Sequence, residues 1–134
     1  MKQTISVNSR LRTELIDITG QVRDAVRKAG IEEGICHLFV PHTTAGITIN
    51  EGADTSVKRD ILTCLNKLVP FDGDYKHAEG NSAAHIKTTL VGTSALCLVE
   101  NGQLALGTWQ SIFFCEFDGP RDRRVHIGIF FAVD

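Results

Sequence analysis

Apolar residues recur with two different periods along this chain, and the switches between them mark its elements. Thr4 to Val7 and Glu14 to Ile18 alternate around the polar turn Asn8-Ser9-Arg10, which predicts two short strands. Thr19 is placed to cap a helix in which Val22, Ala25, Val26 and Ala29 follow the i, i+3, i+4, i+7 rule and Gly30 forms the stop. Cys36 to Val40 and Gly46 to Asn50 read as further strands joined at Pro41-His42-Thr43-Thr44. From Asp54 to about Leu68, the residues Val57, Ile61, Cys64, Leu65 and Leu68 make one helical stripe that Pro70 terminates. At about 100° per residue Asp54 falls roughly 20° from Ile61, so it is expected to point into the stripe. The alternative is an N-cap role, for which Asp is a favoured residue.

Val69 to Gly80 has no period and reads as a loop. Ser82 to Val91 suits a short helix with Ala83, Ile86 and Leu90 inward. The strands Ser94 to Glu100, Gln103 to Leu106, Gln110 to Phe117 and Arg124 to Val133 then follow, and Asn101-Gly102 is a strong hairpin signal between the first two. Helices early and an antiparallel meander late predict an α+β fold. It is expected to be a single domain over residues 1–134, with a mixed or antiparallel sheet and helices on one side.

The 134 residues suit one domain, and 43% hydrophobic with 22% charged residues exclude a disordered chain. A net charge of −2 leaves no general footprint for nucleic acid or an anionic membrane, so any anion must be held locally. The longest apolar stretch, Ile127 to Val133, is far too short for a membrane span, and Met1-Lys2-Gln3 opens no signal-peptide core. A soluble, cytoplasmic protein is expected. The four cysteines form no C-x-x-C pair and three lie in apolar runs, which predicts buried, reduced thiols.

Four polar clusters break the pattern. In HTTAGITINE, His42 to Glu51, alternation places Glu51 in phase with Ile47 and Ile49; it is either a core-facing carboxylate or an ordinary exposed strand end. His42, His77 and His85 lie at breaks between elements, and three imidazoles can hold zinc with a fourth position open. Solvated or hydrogen-bonded histidines are the alternative, while His37 and His126, inside strands, read as structural. In GTWQSIFFCEFD, Gly107 to Asp118, Glu116 shares a face with Phe114 and is expected to be partly desolvated with a raised pKa. Trp109 is either plain core or a stacking wall for a heteroaromatic ligand. In DGPRDRR, Asp118 to Arg124, a Gly-Pro turn presents Arg121 and Arg123 with donors suited to phosphate, against the alternative of a solvated basic loop.

At these clusters the chain resembles the YjbQ-like family, to whose members a secondary thiamine-phosphate synthase activity is assigned. The matching residues begin with HTTAGITINE at His42 to Glu51, followed by Asp54 and Asp60. Next come His77, EGNSAAH from Glu79 to His85 and KTTLVGTS from Lys87 to Ser94, then GTWQ at Gly107 to Gln110 and EFDGPR at Glu116 to Arg121. The resemblance implies a small α+β fold and a homotrimer with the polar motifs gathered in a pocket near the subunit boundary. It also implies an activity secondary to that of a barrel-fold enzyme, for which this chain is far too short.

On that footing the expected reaction couples a hydroxymethylpyrimidine pyrophosphate to a thiazole phosphate with release of pyrophosphate. Its small phosphorylated heteroaromatic substrates would meet Trp109, Gln110, Asn81, Arg121 and Arg123. Glu51, Asp54 and Glu116 would orient groups or move protons, and His42, His77 and His85 would hold a divalent metal, zinc favoured with magnesium the alternative. Two rivals use the same residues. One is a metal-dependent hydrolase with Glu116 or Glu51 as base; the other is a non-catalytic trimeric binding protein for a phosphorylated metabolite. Neither nucleic acid nor a membrane is an expected partner.

Overall fold

The computed structural model describes residues 1–132, so Val133, the expected end of the last strand, lies outside them. In chain order the elements are β1 (Lys2–Asn8), β2 (Glu14–Asp17), α1 (Thr19–Ala29), β3 (Gly34–Phe39), β4 (Ala45–Glu51), α2 (Thr55–Leu68) and α3 (Ser82–Val91). They continue with β5 (Ser94–Glu100), β6 (Gln103–Leu104), β7 (Gln110–Glu116) and β8 (Asp122–Phe131). The fold is α+β, and every strand pairing is antiparallel.

The strands form two sheets where one was expected: a five-stranded sheet in the order β1-β8-β3-β5-β6 and a three-stranded sheet in the order β2-β7-β4. Between β3 and β4, and again between β7 and β8, the chain leaves one sheet for the other. Pro41 and Pro120 sit in those crossings, where a residue with no N–H costs no ladder bond. Backbone bonds from Ser9 N to Arg121 O (3.0 Å), Phe117 N to Thr44 O (3.2 Å) and Gly119 N to Arg12 O (3.0 Å) tie the crossings together into a seam.

Alternation explains what fills the layers. Cys36, Leu38, Val125, Ile127 and Ile129 of the large sheet face Ala45, Ile47, Ile112 and Phe114 of the small one, with Val22, Ala25 and Val26 of α1 closing the core. The opposite face of β7 gives Phe113 and Cys115, which pack with Leu15, Phe117 and Ala84 against Ile61, Leu62 and Leu65 of α2. A fully buried side chain such as Phe114 contributes about 1.5–3 kcal/mol through removal of its surface from water. All three helices therefore lie on one side of the large sheet. Its other face carries Ile35, Phe39, Leu96, Leu98 and Phe130, all exposed.

Several local expectations are corrected. Thr19 is the first helical residue and not the cap; its hydroxyl donates to Asp17 Oδ1 (2.6 Å) and accepts from Ile112 N (2.8 Å), stitching α1 to β7. Asp54 does not face the stripe: it is the exposed N-cap of α2, accepting from Ser56 Oγ at 2.6 Å and from Ser56 N at 2.9 Å, and these bonds, the hydroxyl's first, hold its carboxyl below the usual range. Helix α3 is turned from its expected face, burying Ala83, Ala84, Lys87 and Thr88 while Ile86 and Leu90 stay exposed. The hairpin turn is as expected, with positive φ of 52° at Asn101 and 74° at Gly102. Cys36, Cys97 and Cys115 are buried and unpaired, Cys64 is exposed, and burial pushes the Cys36 and Cys115 thiols up to about 12. Among the described residues no helix is long and apolar enough to cross a membrane.

Candidate functional site

The seam opens into a cleft of about 680 Å³ lined by both crossings, the loop before α3 and the first turns of α3. His42, His77, His85, Asn81, Arg121 and Arg123 all border it, together with Thr43, Thr44, Glu79 and the outer-face residue Phe39. Residues from four separate stretches of sequence thus meet because two strand crossings and a helix start share one place.

Arg123 lines the cleft and Glu116 stands behind it, with side chains 5% and 0% exposed. Glu116 ends β7 in the small sheet, and Arg123 lies near the start of β8 in the large one. Arg123 donates from Nε to Glu116 Oε1 (2.9 Å) and from Nη2 to Glu116 Oε2, and Nη2 also reaches Thr44 Oγ1 at 2.8 Å. Glu116 accepts further bonds from Ser9 Oγ (2.6 Å) and Asp118 N (3.0 Å). Burial by itself pushes this carboxyl up, but Arg123, Ser9 and the Asp118 amide together outweigh it and hold the group below its ordinary range. The expected raised pKa is therefore corrected: the neighbouring phenylalanines were visible in the sequence, the guanidinium across the seam was not. Arg123 is likewise no solvated loop residue. Its Nη1 makes no bond among the described residues and remains for an occupant of the cleft.

Arg121, half-exposed, is aimed by its neighbours. It donates from Nε to Asp118 O (2.8 Å) and from Nη2 to Asp118 Oδ2 (3.0 Å). Asn81, the N-cap residue of α3, donates from Nδ2 to the same carboxylate oxygen at 2.9 Å, while its Oδ1 is buried without a partner. Two fork-shaped cations with free nitrogens on one cleft are suited to a phosphate or pyrophosphate group.

The histidines test the metal expectation. The rings of His77 and His85 stand edge-on at 86° with centroids 5.3 Å apart. Two imidazoles sharing a tetrahedral zinc at Zn–N distances of about 2.0–2.1 Å would place their centroids about 5 Å apart, so the spacing of the pair matches, while His77 Nε2 itself stands 4.0 Å from Glu79 Oε2. His42 is oriented differently: its Nε2 accepts from Arg124 N at 3.0 Å, which leaves Nδ1 carrying the proton. Burial first, then the charges of Arg123 and Arg124, lower its pKa. Among the described residues no set of three His, Cys, Asp or Glu side chains is arranged to hold a metal ion.

Glu51, Asp54, Trp109 and Gln110 lie elsewhere. In the β4–β7 ladder Glu51 pairs with Gln110, whereas Ala45 pairs with Glu116 at the cleft end. Six residues of strand separate the two ends by about 20 Å. Glu51 Oε2 accepts from Ala53 N (2.8 Å), Gln110 Oε1 accepts from Gly107 N (2.8 Å), and Trp109 is 64% exposed, which removes it from the core. His37 and His126 bond Ser94 Oγ (2.6 Å) and Thr4 Oγ1 (3.0 Å) on the outer sheet face and do not line the cleft. Ser9, Thr44 and Asp118, which hold Glu116, Arg123 and Arg121, were not singled out from the sequence. Ser9 looked like any turn residue, and only its contact across 107 positions reveals its role.

The sequence profile of the UPF0047 YjbQ-like proteins matches residues 3–131. A UPF0047 protein of Methanocaldococcus jannaschii is 50% identical over 123 residues, 92% of this chain and 89% of that protein. The UPF0047 protein YugU of Bacillus subtilis is 48% identical over 128 residues, covering 95% and 97%. A solved YjbQ/UPF0047 family structure from Clostridium acetobutylicum superposes with a TM-score of 0.94 at 54% identity, over 96% of this chain and 99% of its own. A YbjQ-like protein of Sulfolobus solfataricus gives a TM-score of 0.94 at 38% identity, over 98% and 97%.

Proposed function

Because this chain belongs to the YjbQ-like UPF0047 family, we propose that it is a secondary thiamine-phosphate synthase working in the seam cleft. The observation that carries the reading is the meeting of Arg121, Arg123 and the His77–His85 pair on one cavity large enough for a phosphorylated heteroaromatic molecule. In the coupling, the bond from the pyrimidine's methylene carbon to pyrophosphate oxygen breaks as the thiazole nitrogen attacks that carbon. Negative charge grows on the leaving oxygen, where Arg121 and the free Nη1 of Arg123 neutralise it. Glu116 acts one step back: it positions Arg123 and keeps it charged in a dry place.

A divalent ion, zinc before magnesium, belongs to the same reading, held by His77 and His85; His42 would join as third donor on turning its Nε2 away from Arg124 N, and the bound ion would polarise a phosphoryl oxygen. The protein is read as a cytoplasmic homotrimer. The uncovered apolar face of the large sheet supports assembly, and Phe39, which lies on that face and on the cleft rim, supports a subunit boundary beside the site. Assembly of that kind would bring Glu51, Asp54, Trp109 and Gln110 to a neighbour's cleft, since within one chain they stand too far away.

Incubation with both substrates and analysis of products is the test: thiamine phosphate and pyrophosphate should appear together. Phosphate released from a single substrate would favour the hydrolase, which the histidine pair also supports, and saturable binding without turnover would favour a binding protein. Metal content should fall in His85→Ala and stay unchanged in His126→Ala.

A further inference from the structure

A second cavity, of about 380 Å³, lies behind the cleft between the end of α2, the loop at Pro70 to Asp72 and the inward face of α3. Its most unusual feature is Lys87. The residue is 3% exposed, its Nζ donates to Asn66 Oδ1 at 2.6 Å, and it has no carboxylate partner within ion-pair distance among the described residues. Asn66 is itself aimed by a bond from its Nδ2 to Thr13 Oγ1 at 3.2 Å. A buried ammonium without a counter-ion is expensive for a fold, since the water it lost has not been replaced by opposite charge.

Two further groups converge there. Arg12 lies over the Phe71 ring, its guanidinium carbon 3.8 Å from the centroid, and makes no ion pair among the described residues. Asn81 also borders the cavity, and its buried Oδ1 has no donor. Two carboxylates line the space as well, but Asp118 is engaged by Arg121 and Asn81, and Asp72 is exposed at the rim, where water and salt screen it.

We propose that this cavity is a second binding site, for a small ligand that carries both an oxyanion and an N–H or O–H donor. The oxyanion sits on Lys87 and Arg12, the donor satisfies Asn81 Oδ1, and Phe71 covers the remainder. The assignment stands apart from the reaction assigned to the cleft. Asn81 forms the wall between the two spaces, so an occupant that engages it acts on the Asp118 carboxylate that aims Arg121.

Inorganic phosphate is the probe, titrated into the full ¹⁵N-labelled chain while backbone amide shifts are followed. Saturable shifts are expected at Asn66, Ala84 and Lys87, separately from any at Thr43 and Thr93 in the cleft. Lys87→Met should abolish saturation at Asn66 and Ala84 and leave Thr43 and Thr93 as they were. Acetate, which brings no donor to Asn81, should bind about tenfold more weakly, the usual consequence of leaving a buried acceptor unpaired. Should Lys87→Met fail to fold, Arg12→Gln at the exposed rim serves instead and should weaken phosphate at least threefold. Shifts confined to the cleft, an affinity unchanged in the substituted chain, or acetate binding as tightly as phosphate would each overturn the assignment.

Discussion

Replacing Glu116 by Gln keeps the shape of the support behind Arg123 and removes its charge. The amide retains one oxygen for Ser9 or the Asp118 N–H, but its NH₂ now faces the Nη2 or Nε donors of Arg123. Breaking one side of a buried ion pair typically costs about 3–5 kcal/mol, and the retained oxygen places this case near about 3 kcal/mol. For a chain of this length that lowers Tm by about 10 °C. Urea unfolding at pH 7 measures it directly, and the double variant Glu116→Met/Arg123→Met should recover much of the loss, because it leaves no stranded charge. The pH dependence has a definite sign. The folded-state pKa of Glu116 is below the unfolded one, so its contribution is fully present above the unfolded value and is lost as pH falls through the folded value. The gap between parent and Gln variant should therefore be flat from neutral pH downward and close only in acid. A variant within about 1 kcal/mol of the parent at pH 7, or a gap that widens on acidification, would refute the reasoning.

Arg121→Lys should bind pyrophosphate several-fold more weakly at low and near-physiological salt, since an ammonium cannot keep both Asp118 contacts and still offer a free fork; equal affinity at both salts would return Arg121 to a solvated loop. Asp54→Asn keeps a good cap, so Tm should hold while the coupling activity falls, and unchanged activity would leave Asp54 a cap alone. Gly46→Ala should lower stability by about 1–3 kcal/mol in the same urea assay, because the new Cβ would stand 2.5 Å from Gly92 O, backbone that cannot turn aside.

Element positions were legible because apolar period is a local property: Ser82–Val91 and Ser94–Glu100 were found at their observed bounds. Facing was harder. Lys87 counts as polar in any pattern yet is buried, so the apolar period turns α3 towards Ile86 and Leu90. Asp54 failed for another reason: an N-cap has extended backbone, here φ −106° and ψ 109°, so helical angles do not apply to it. The split into two sheets escaped because alternation tells which face a residue takes and nothing about which strand lies beside it. Of the expected site residues, those in loops and at breaks, His42, His77, Asn81 and Arg121, share the cleft. The contacts that hold Arg123 beside them, Ser9 to Glu116 and Glu116 to Arg123, span the sheets and have no local signature.

The Glu116–Arg123 pair joins a strand of one sheet to a strand of the other, which makes the cleft a property of docking and not of either sheet. A chain with both sheets formed but separated would keep its far-ultraviolet spectrum and lose the cleft. Any ligand of the cleft is then a clamp: at one hundred times its Kd it favours the docked state by about 2.7 kcal/mol. Proteolytic nicking at the crossings, slowed by saturating phosphate and untouched by an uncharged osmolyte at equal concentration, would reveal that clamp at work.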